Sequence, residues 1–308
     1  MGCGGLSMKR RRFVKTLSAF SAIPLFGQDR PGEMMTRRIP SSGERLPVIG
    51  MGTWITFNAG RSVAERAKLR GVLQAFFDRG GRVIDSSPMY GSSEEVVGDL
   101  LPLVTPRPAP FAASKVWTLG TRRGASQMES SRELWGVASF DLMQVHNLLD
   151  WDSHIETLKE WKANGRVRYI GVTTSHGRRH EELERIMMRE PLDFVQFTYN
   201  LADRSAENRL LPVARDRRLG VIINRPLDGG DLFDRVRGSA LPVWADEFDC
   251  RNWSQFFLKF IISHPVVTCA IPATSQVAHM VENMGAASGR LPDPAMRRRM
   301  IDYFARST

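Results

Sequence analysis

Four residues stand out for what their side chains can do together. Asp85 and Tyr90 lie five positions apart in IDSSPMYG (84–91), Lys115 lies in FAASKVW (111–117) and His146 in DLMQVHN (141–147). Each sits at or just past the end of an apolar run. A tyrosine phenol titrates near ~10 and is a poor acid–base group at neutral pH by itself. A nearby lysine ammonium favours the phenolate and lowers that pKa. A carboxylate beside the lysine holds it in place and charged, and a histidine across the pocket can hydrogen-bond a substrate oxygen. The set suits delivery of a proton to a carbonyl oxygen while hydride reaches the carbon. No side chain supplies a hydride, so this chemistry requires a cofactor. Taken singly, each residue has a plainer role: a strand-end aspartate as an ion-pair partner, a histidine as a core residue, a Tyr-Gly pair as a turn.

Strands must hold these residues. Apolar runs recur at 82–87, 111–116, 140–146, 167–173, 193–200, 220–226 and 267–273, with helical spacing at 92–101, 121–136, 152–165, 179–189, 206–218, 252–263 and 276–287. With a first strand near 48–53, eight strand–helix units result. They predict an α/β fold, a closed (β/α)8 TIM barrel over residues 36–308. Residues 37–52 read as a hairpin with its turn at 41–43, closing the barrel bottom. The stretch 227–250 reads as irregular, a lid over the active face. The tail after Pro292 reads as a covering helix. GMGTWI (50–55) begins a G-x-G-x-x-G and fails at Ile55, which argues against a Rossmann site. In a barrel the carboxyl ends of the strands form the active face. Besides the four residues above, that face collects Asn147, Thr173, Thr174, Gln196, Asn200, Asn224 and Arg225.

The chain has 308 residues, 42% hydrophobic and 25% charged, enough for a sizeable core. No apolar run reaches the length of a membrane span. The net charge is +10, and residues 1–30 hold six Lys/Arg against one acid. The remainder lacks aromatic–basic interleaving and zinc-like spacing, so nucleic acid is not the expected partner. Cys3, Cys250 and Cys269 make no disulfide framework. His146 and Asp85 are too few for a metal hydrolase, and no metal is expected. From Met8, an alternative start, MKRRRFVK leads into the eleven-residue, mostly apolar TLSAFSAIPLF. RRRFVK resembles a twin-arginine export signal. Residues 1–35 are therefore expected to be an export signal and flexible N terminus. The protein would be periplasmic or exported by the twin-arginine machinery, and cytoplasmic if the signal is not used.

Across about residues 37–290 the motifs resemble the aldo-keto reductase family. They are GMGTW (50–54), VIDSSPMYG (83–91), SKVW (114–117), DLMQVHN (141–147), GRVRYIGVTTS (165–175), VQFTYN (195–200) and IPATSQVAHMVEN (271–283). The resemblance implies Tyr90 as general acid, Lys115 tuning it, Asp85 fixing Lys115, and His146 orienting the carbonyl. It implies cofactor contacts from Gly52, Thr53, Trp54, Asp85 and Asn147. Thr173, Thr174 and Gln196 would grip the nicotinamide amide, with Thr174 where asparagine is usual. Asn224 stands where a tyrosine often stacks on the nicotinamide. INRPLDGGDL (223–232) thus departs from the family pattern, with Arg225 offering either a phosphate or amide contact or a barrel-rim ion pair, and Leu227 following it. The positions that usually carry a cation for the 2′-phosphate read Ala273, Gln276 and His279. Thr274 and Ser275 could still bond the phosphate, and Glu282 and Asn283 match adenine-contacting positions. NADPH is the expected cofactor and NADH the alternative. By position, after strands one and three, Trp54 and Trp117 would either wall the substrate pocket or cover the barrel rim. The implied function is NAD(P)H-dependent reduction of small aldehydes and ketones. The competing reading keeps the barrel and cofactor without the chemistry, as a sensor or partner-binding module. Neither the physiological substrate nor the oligomeric state is legible.

Overall fold

The structure, a computed structural model, describes residues 1–2, 34–106 and 109–306. The expected export signal falls mostly on residues 3–33, outside the described residues.

Strands β1 (Thr36–Arg38) and β2 (Arg45–Pro47) form an antiparallel hairpin. Eight parallel strands follow: β3 (Met51–Gly52), β4 (Val83–Asp85), β5 (Phe111–Val116), β6 (Phe140–Val145), β7 (Val167–Thr173), β8 (Phe194–Thr198), β9 (Gly220–Asn224) and β10 (Cys269–Ala270). They lie side by side in chain order. The ends meet where Gly50 N–H donates to Ala270 O at 2.8 Å and Gly52 N–H to Pro272 O at 3.1 Å. This is the expected (β/α)8 barrel.

Alternation along the strands explains why the barrel is solid. Val83, Phe111, Ala113, Leu142, Phe194, Ile222 and Cys269 form one buried cluster. Their neighbours Ile84, Ala112, Met143, Val195 and Val221 belong to the second, larger cluster shared with the helices. A period of two sends successive side chains to opposite faces. Ile39 and Leu46 from the hairpin join the smaller cluster, both fully buried, and so stopper the bottom. Arg37 pins the hairpin by donating to the carbonyls of Ile262, His264 and Val267 at 3.0, 2.7 and 2.6 Å.

The outer layer consists of α1 (Val63–Asp78), α2 (Ser93–Leu100), α3 (Thr121–Trp135), α4 (Trp151–Ala163), α5 (His180–Arg189), α6 (Leu210–Asp216), α7 (Asp231–Arg235), α8 (Trp253–Ile262), α9 (Val277–Gly285) and α10 (Pro294–Arg306). The stretch 227–250, expected to be irregular, instead contains α7 and two short 3-10 turns. Its polar, glycine-rich sequence hides a helix too short for periodicity to reveal. The tail forms α10, which lies outside α8: Arg297 donates to Ser263 Oγ and Tyr199 Oη, each at 2.6 Å. Cys250 and Cys269 are buried free thiols.

One contact outside the barrel wall fixes the approach to the active face. Glu94, on α2, is buried and accepts from Ser114 Oγ at 2.5 Å, Ser131 Oγ at 2.8 Å and Trp135 Nε1 at 3.2 Å. Those donors come from β5 and α3, so the helix that follows Tyr90 is locked to the strand that carries Lys115.

Removing the hairpin's stopper should loosen the whole barrel. Ile39→Ala is expected to lower the unfolding free energy by about 2–4 kcal/mol, read as a lower urea midpoint at unchanged slope.

Candidate active site

The floor of the site is a buried ion pair. Lys115 ends β5 fully buried, and its Nζ donates to Asp85 Oδ2 at 2.5 Å and to the Ser86 carbonyl at 2.7 Å. Asp85 ends β4, 2% exposed, and its other oxygen accepts from Gln196 Nε2 at 2.9 Å and Gln144 Nε2 at 3.3 Å. Four neighbouring or near-neighbouring strands thus contribute one side chain each. Burial works against the Lys115 ammonium, but the charges of Asp85 and Tyr90 and their hydrogen bonds outweigh it, and the lysine pKa is raised. The lysine is firmly cationic.

Tyr90 stands above this cation, with Lys115 Nζ 5.1 Å from its ring centroid. Gly91 follows it at φ +61°, a left-handed turn in which a Cβ would strike Asn58 Oδ1 at 2.4 Å. That asparagine oxygen accepts from the Ser92 N–H at 2.9 Å, closing the turn behind the phenol. Burial raises the Tyr90 pKa, Lys115's charge lowers it, Asp85's charge raises it, and the Lys115 hydrogen bond lowers it; the net shift is upward. The expectation of a phenol pulled down by lysine has the right sign for that pair and the wrong sign for the sum. Desolvation of the phenolate wins.

His146 follows β6 and is 5% exposed. Its ring meets the Tyr90 ring edge-on, with centroids 5.6 Å apart and planes at 84°. Burial, then the Lys115 charge, pushes its pKa down to about 2, so the imidazole is neutral. A phenol O–H and a neutral imidazole therefore stand side by side over a fixed positive charge.

A cavity of about 590 Å³ opens over this floor. Of the expected contacts, Gly52, Thr53, Trp54, Asp85, Tyr90, His146, Asn147, Gln196, Asn224, Arg225, Leu227, Thr274, Glu282 and Asn283 line it, and Thr173 and Thr174 do not. Trp117, expected as a pocket wall, is not among the lining residues. Beyond β5 its main-chain N–H and carbonyl bond the Gln127 amide at 2.6 and 3.1 Å, which ties it to α3. Ser275 is exposed and also off the lining. Thr173 is buried, and its Oγ1 accepts from Asn147 N–H at 3.0 Å, holding a left-handed turn at φ +52°. Thr174 is buried with an Oγ1 that has no partner among the described residues. Lys115 lies beneath the cavity and does not line it.

Asn224 is committed: it accepts from Thr198 Oγ1 at 2.7 Å and donates to the Thr174 carbonyl at 2.8 Å. Gln196, besides donating to Asp85, accepts from Asn224 at 3.4 Å. Arg225 has φ +45° and donates to Asp228 Oδ1 at 3.0 Å, while its Nε has no partner among the described residues. Its guanidinium sits 5.9 Å from the Trp54 ring centroid. Thr56 Oγ1, another buried hydroxyl on the lining, is also without a partner among the described residues. A dinucleotide needs an elongated cleft with spare donors for its phosphates, and Arg225 and Thr56 provide them. The residues present fit such a group.

Several lining residues were not legible in the sequence. Phe233 comes from α7 and Ser254 from the start of α8. Ile55 sits at φ +63°, rare for a β-branched residue, 66% exposed at the rim of the cavity. Off the lining, Ser87 was also not legible: it is fully buried with its Oγ 2.8 Å from His146 Nδ1. Its place between Asp85 and Tyr90 was the available signal.

This barrel carries its cavity over a Tyr–Lys–Asp–His floor, and the chain belongs to the aldo/keto reductase family, whose model matches residues 48–299. It is 27% identical over 213 residues to the aldo-keto reductase YhdN of Bacillus subtilis, across 64% of this chain and 63% of that one. It is 25% identical over 195 residues to the NADH-specific methylglyoxal reductase of Escherichia coli, across 53% and 57%. The matches thus span less than two thirds of either relative. A solved aldo-keto reductase from Klebsiella pneumoniae in complex with NADPH superposes with a TM-score of 0.72 at 25% identity, over 88% of this chain and 95% of that one.

Breaking the ion pair leaves a buried carboxylate unpaired. Lys115→Met is expected to cost about 3–5 kcal/mol of stability, and adding Asp85→Asn to recover part of it. Thermal or urea unfolding of the single and double variants checks this.

Proposed function

We propose that this protein is an NAD(P)H-dependent oxidoreductase that reduces small aldehydes or ketones to alcohols, with Tyr90 as the general acid. The observation that carries the reading is the Asp85–Lys115–Tyr90–His146 arrangement on the cavity floor. A reduced nicotinamide dinucleotide, when bound, supplies the hydride. Tyr90 Oη–H donates its proton to the carbonyl oxygen as negative charge develops there. Lys115 stabilises the phenolate left behind, and Asp85 keeps Lys115 charged and aimed. His146 orients the carbonyl as a neutral hydrogen-bond donor. Trp54, Ile55, Met89 and Phe233 give the cavity an apolar share that excludes water from the reacting atoms. Gly52, Thr53, Asn147 and Gln196 would hold the nicotinamide end, Arg225 and Thr56 the phosphates, and Thr274, Glu282 and Asn283 the adenosine.

Tyr90→Phe should lower kcat with a test aldehyde by about 100-fold or more while leaving cofactor affinity within about twofold, measured by reduced-nicotinamide absorbance and fluorescence titration. Cofactor binding by the unaltered protein without turnover would support instead a sensor or partner-binding module. The pH profile follows from the two shifted groups. Reduction needs protonated Tyr90, whose pKa lies above its ordinary value of 10, and His146 stays neutral down to about 2. So kcat should be flat between about pH 5 and 9 and fall only as the phenol ionises in alkali. An acidic limb near the ordinary histidine value of 6.5 would contradict this assignment.

NADPH is the cofactor we favour, with NADH the alternative. Arg225 is the one Lys or Arg among the described lining residues, and the adenosine end offers Thr274 and His279 but no strong cation. Loss of a charge-assisted phosphate contact should leave the NADPH and NADH dissociation constants within about tenfold of each other. A preference beyond about a hundredfold would show that a cation reaches the 2′-phosphate.

A further inference from the structure

Ser87 lies between the strand-end aspartate and the tyrosine, fully buried. It makes two bonds through one oxygen. The Met89 N–H donates to Ser87 Oγ at 3.2 Å, and the same Oγ lies 2.8 Å from His146 Nδ1. A hydroxyl has one proton and two acceptor sites, and a neutral imidazole has one N–H and one bare nitrogen. Two arrangements are therefore open. If Nδ1–H donated to Ser87, the oxygen would accept twice and its own proton would need an acceptor. Ser87 Oγ has no further partner among the described residues, so that proton would be stranded out of water, which is costly. If Ser87 donates to a bare Nδ1, the hydroxyl proton and Nδ1 are both satisfied and the ring proton sits on Nε2.

We infer that Ser87 is a positioning residue that fixes His146 in its Nε2–H form, so that the histidine presents a donor to the cavity beside Tyr90. The catalytic consequence rests on the reductase reading. Two donors, Tyr90 Oη–H and His146 Nε2–H, then converge on one carbonyl oxygen. With the opposite tautomer, His146 would offer a lone pair to that oxygen and repel it. The serine is well placed to couple the two donors, because its own carbonyl accepts the Tyr90 N–H at 2.9 Å. The turn that sets the phenol is also the turn that sets the histidine's partner. Of the charges, Lys115 acts on His146: the ammonium lies beneath Tyr90 and opposes any protonation of His146 to the cation, while Asp85 is already engaged by Lys115, Gln144 and Gln196. The choice lies between neutral forms, and a hydroxyl decides it.

The test is the tautomer itself. In the full-length protein with ¹⁵N-labelled histidine rings, two-bond ¹⁵N–¹H spectra should show His146 as Nε2–H, its signals assigned by their absence in His146→Gln. A predominant Nδ1–H form would overturn the inference. Ser87→Ala should move the signals toward the mixed or Nδ1–H pattern and lower kcat about tenfold, with cofactor affinity unchanged. In the His146→Gln background, Ser87→Ala should cost nothing further. An unchanged tautomer in Ser87→Ala, or an equal loss of kcat with and without His146, would overturn it. The spectrum of the unaltered protein needs no turnover, and its assignment needs only that His146→Gln folds. Failure of this inference and failure of the reductase reading are thus separable.

Discussion

Lys115 carries a full positive charge at a place water does not reach, and the site is organised around making that charge tolerable. Asp85 neutralises it directly at 2.5 Å, and the Ser86 carbonyl takes a second donor. The carboxylate is in turn shared with Gln144 and Gln196, so β4, β5, β6 and β8 all end on the same knot. A buried ion pair of this kind adds little to stability, because desolvating both partners consumes most of what their attraction returns. Its effect is felt elsewhere: it sets a permanent positive potential beneath Tyr90 and beside His146. Burial first and that potential second keep the histidine neutral, and the potential stands ready to stabilise a phenolate once the tyrosine gives up its proton.

The seven residues from Asp85 to Gly91 bring these parts together. One end belongs to a barrel strand and pairs with the lysine. The middle supplies Ser86 to Lys115 and Ser87 to His146. The far end turns through the left-handed Gly91, which Asn58 and Ser92 close. Just beyond, buried Glu94 ties α2 to Ser114, the residue next to Lys115. The phenol therefore approaches the ammonium from a loop anchored at both ends to the same strand pair, which limits how far the two can drift apart.

The opposite rim is built differently. Thr173, Asn224 and Gln196 spend their polar groups within the protein: Thr173 on the Asn147 N–H, Asn224 on Thr198 and the Thr174 carbonyl, and Gln196 on Asp85 and Asn224. Asn224 makes a polar shelf in place of a stacking ring. Donors for an anionic ligand fall instead to Arg225, held at a left-handed backbone angle across from Trp54, and to Thr56. α7 brings Phe233 over the same side.

Apolar runs and helical spacing in the sequence were enough to determine the barrel, because each buried strand's apolar run and each helix's apolar stripe record local burial. β5 and β7 fall on the very residues whose apolar runs mark them. Strand-end position was then enough to bring Asp85, Lys115 and His146 to one face, since parallel strands present all their carboxyl ends together. Tyr90 followed from its distance to Asp85 within one loop. What lay beyond the sequence depends on neighbours far along the chain. Whether the Tyr90 pKa rises or falls is a sum over burial by several elements and two opposed charges, and no local pattern carries that sum. Ser87 meets His146 across 59 positions, and nothing in either segment announces the other. Trp117 reads like a pocket wall until α3 is in place to hold its main chain through Gln127. Local spacing decides which face a side chain occupies; only the packed barrel decides what it touches there.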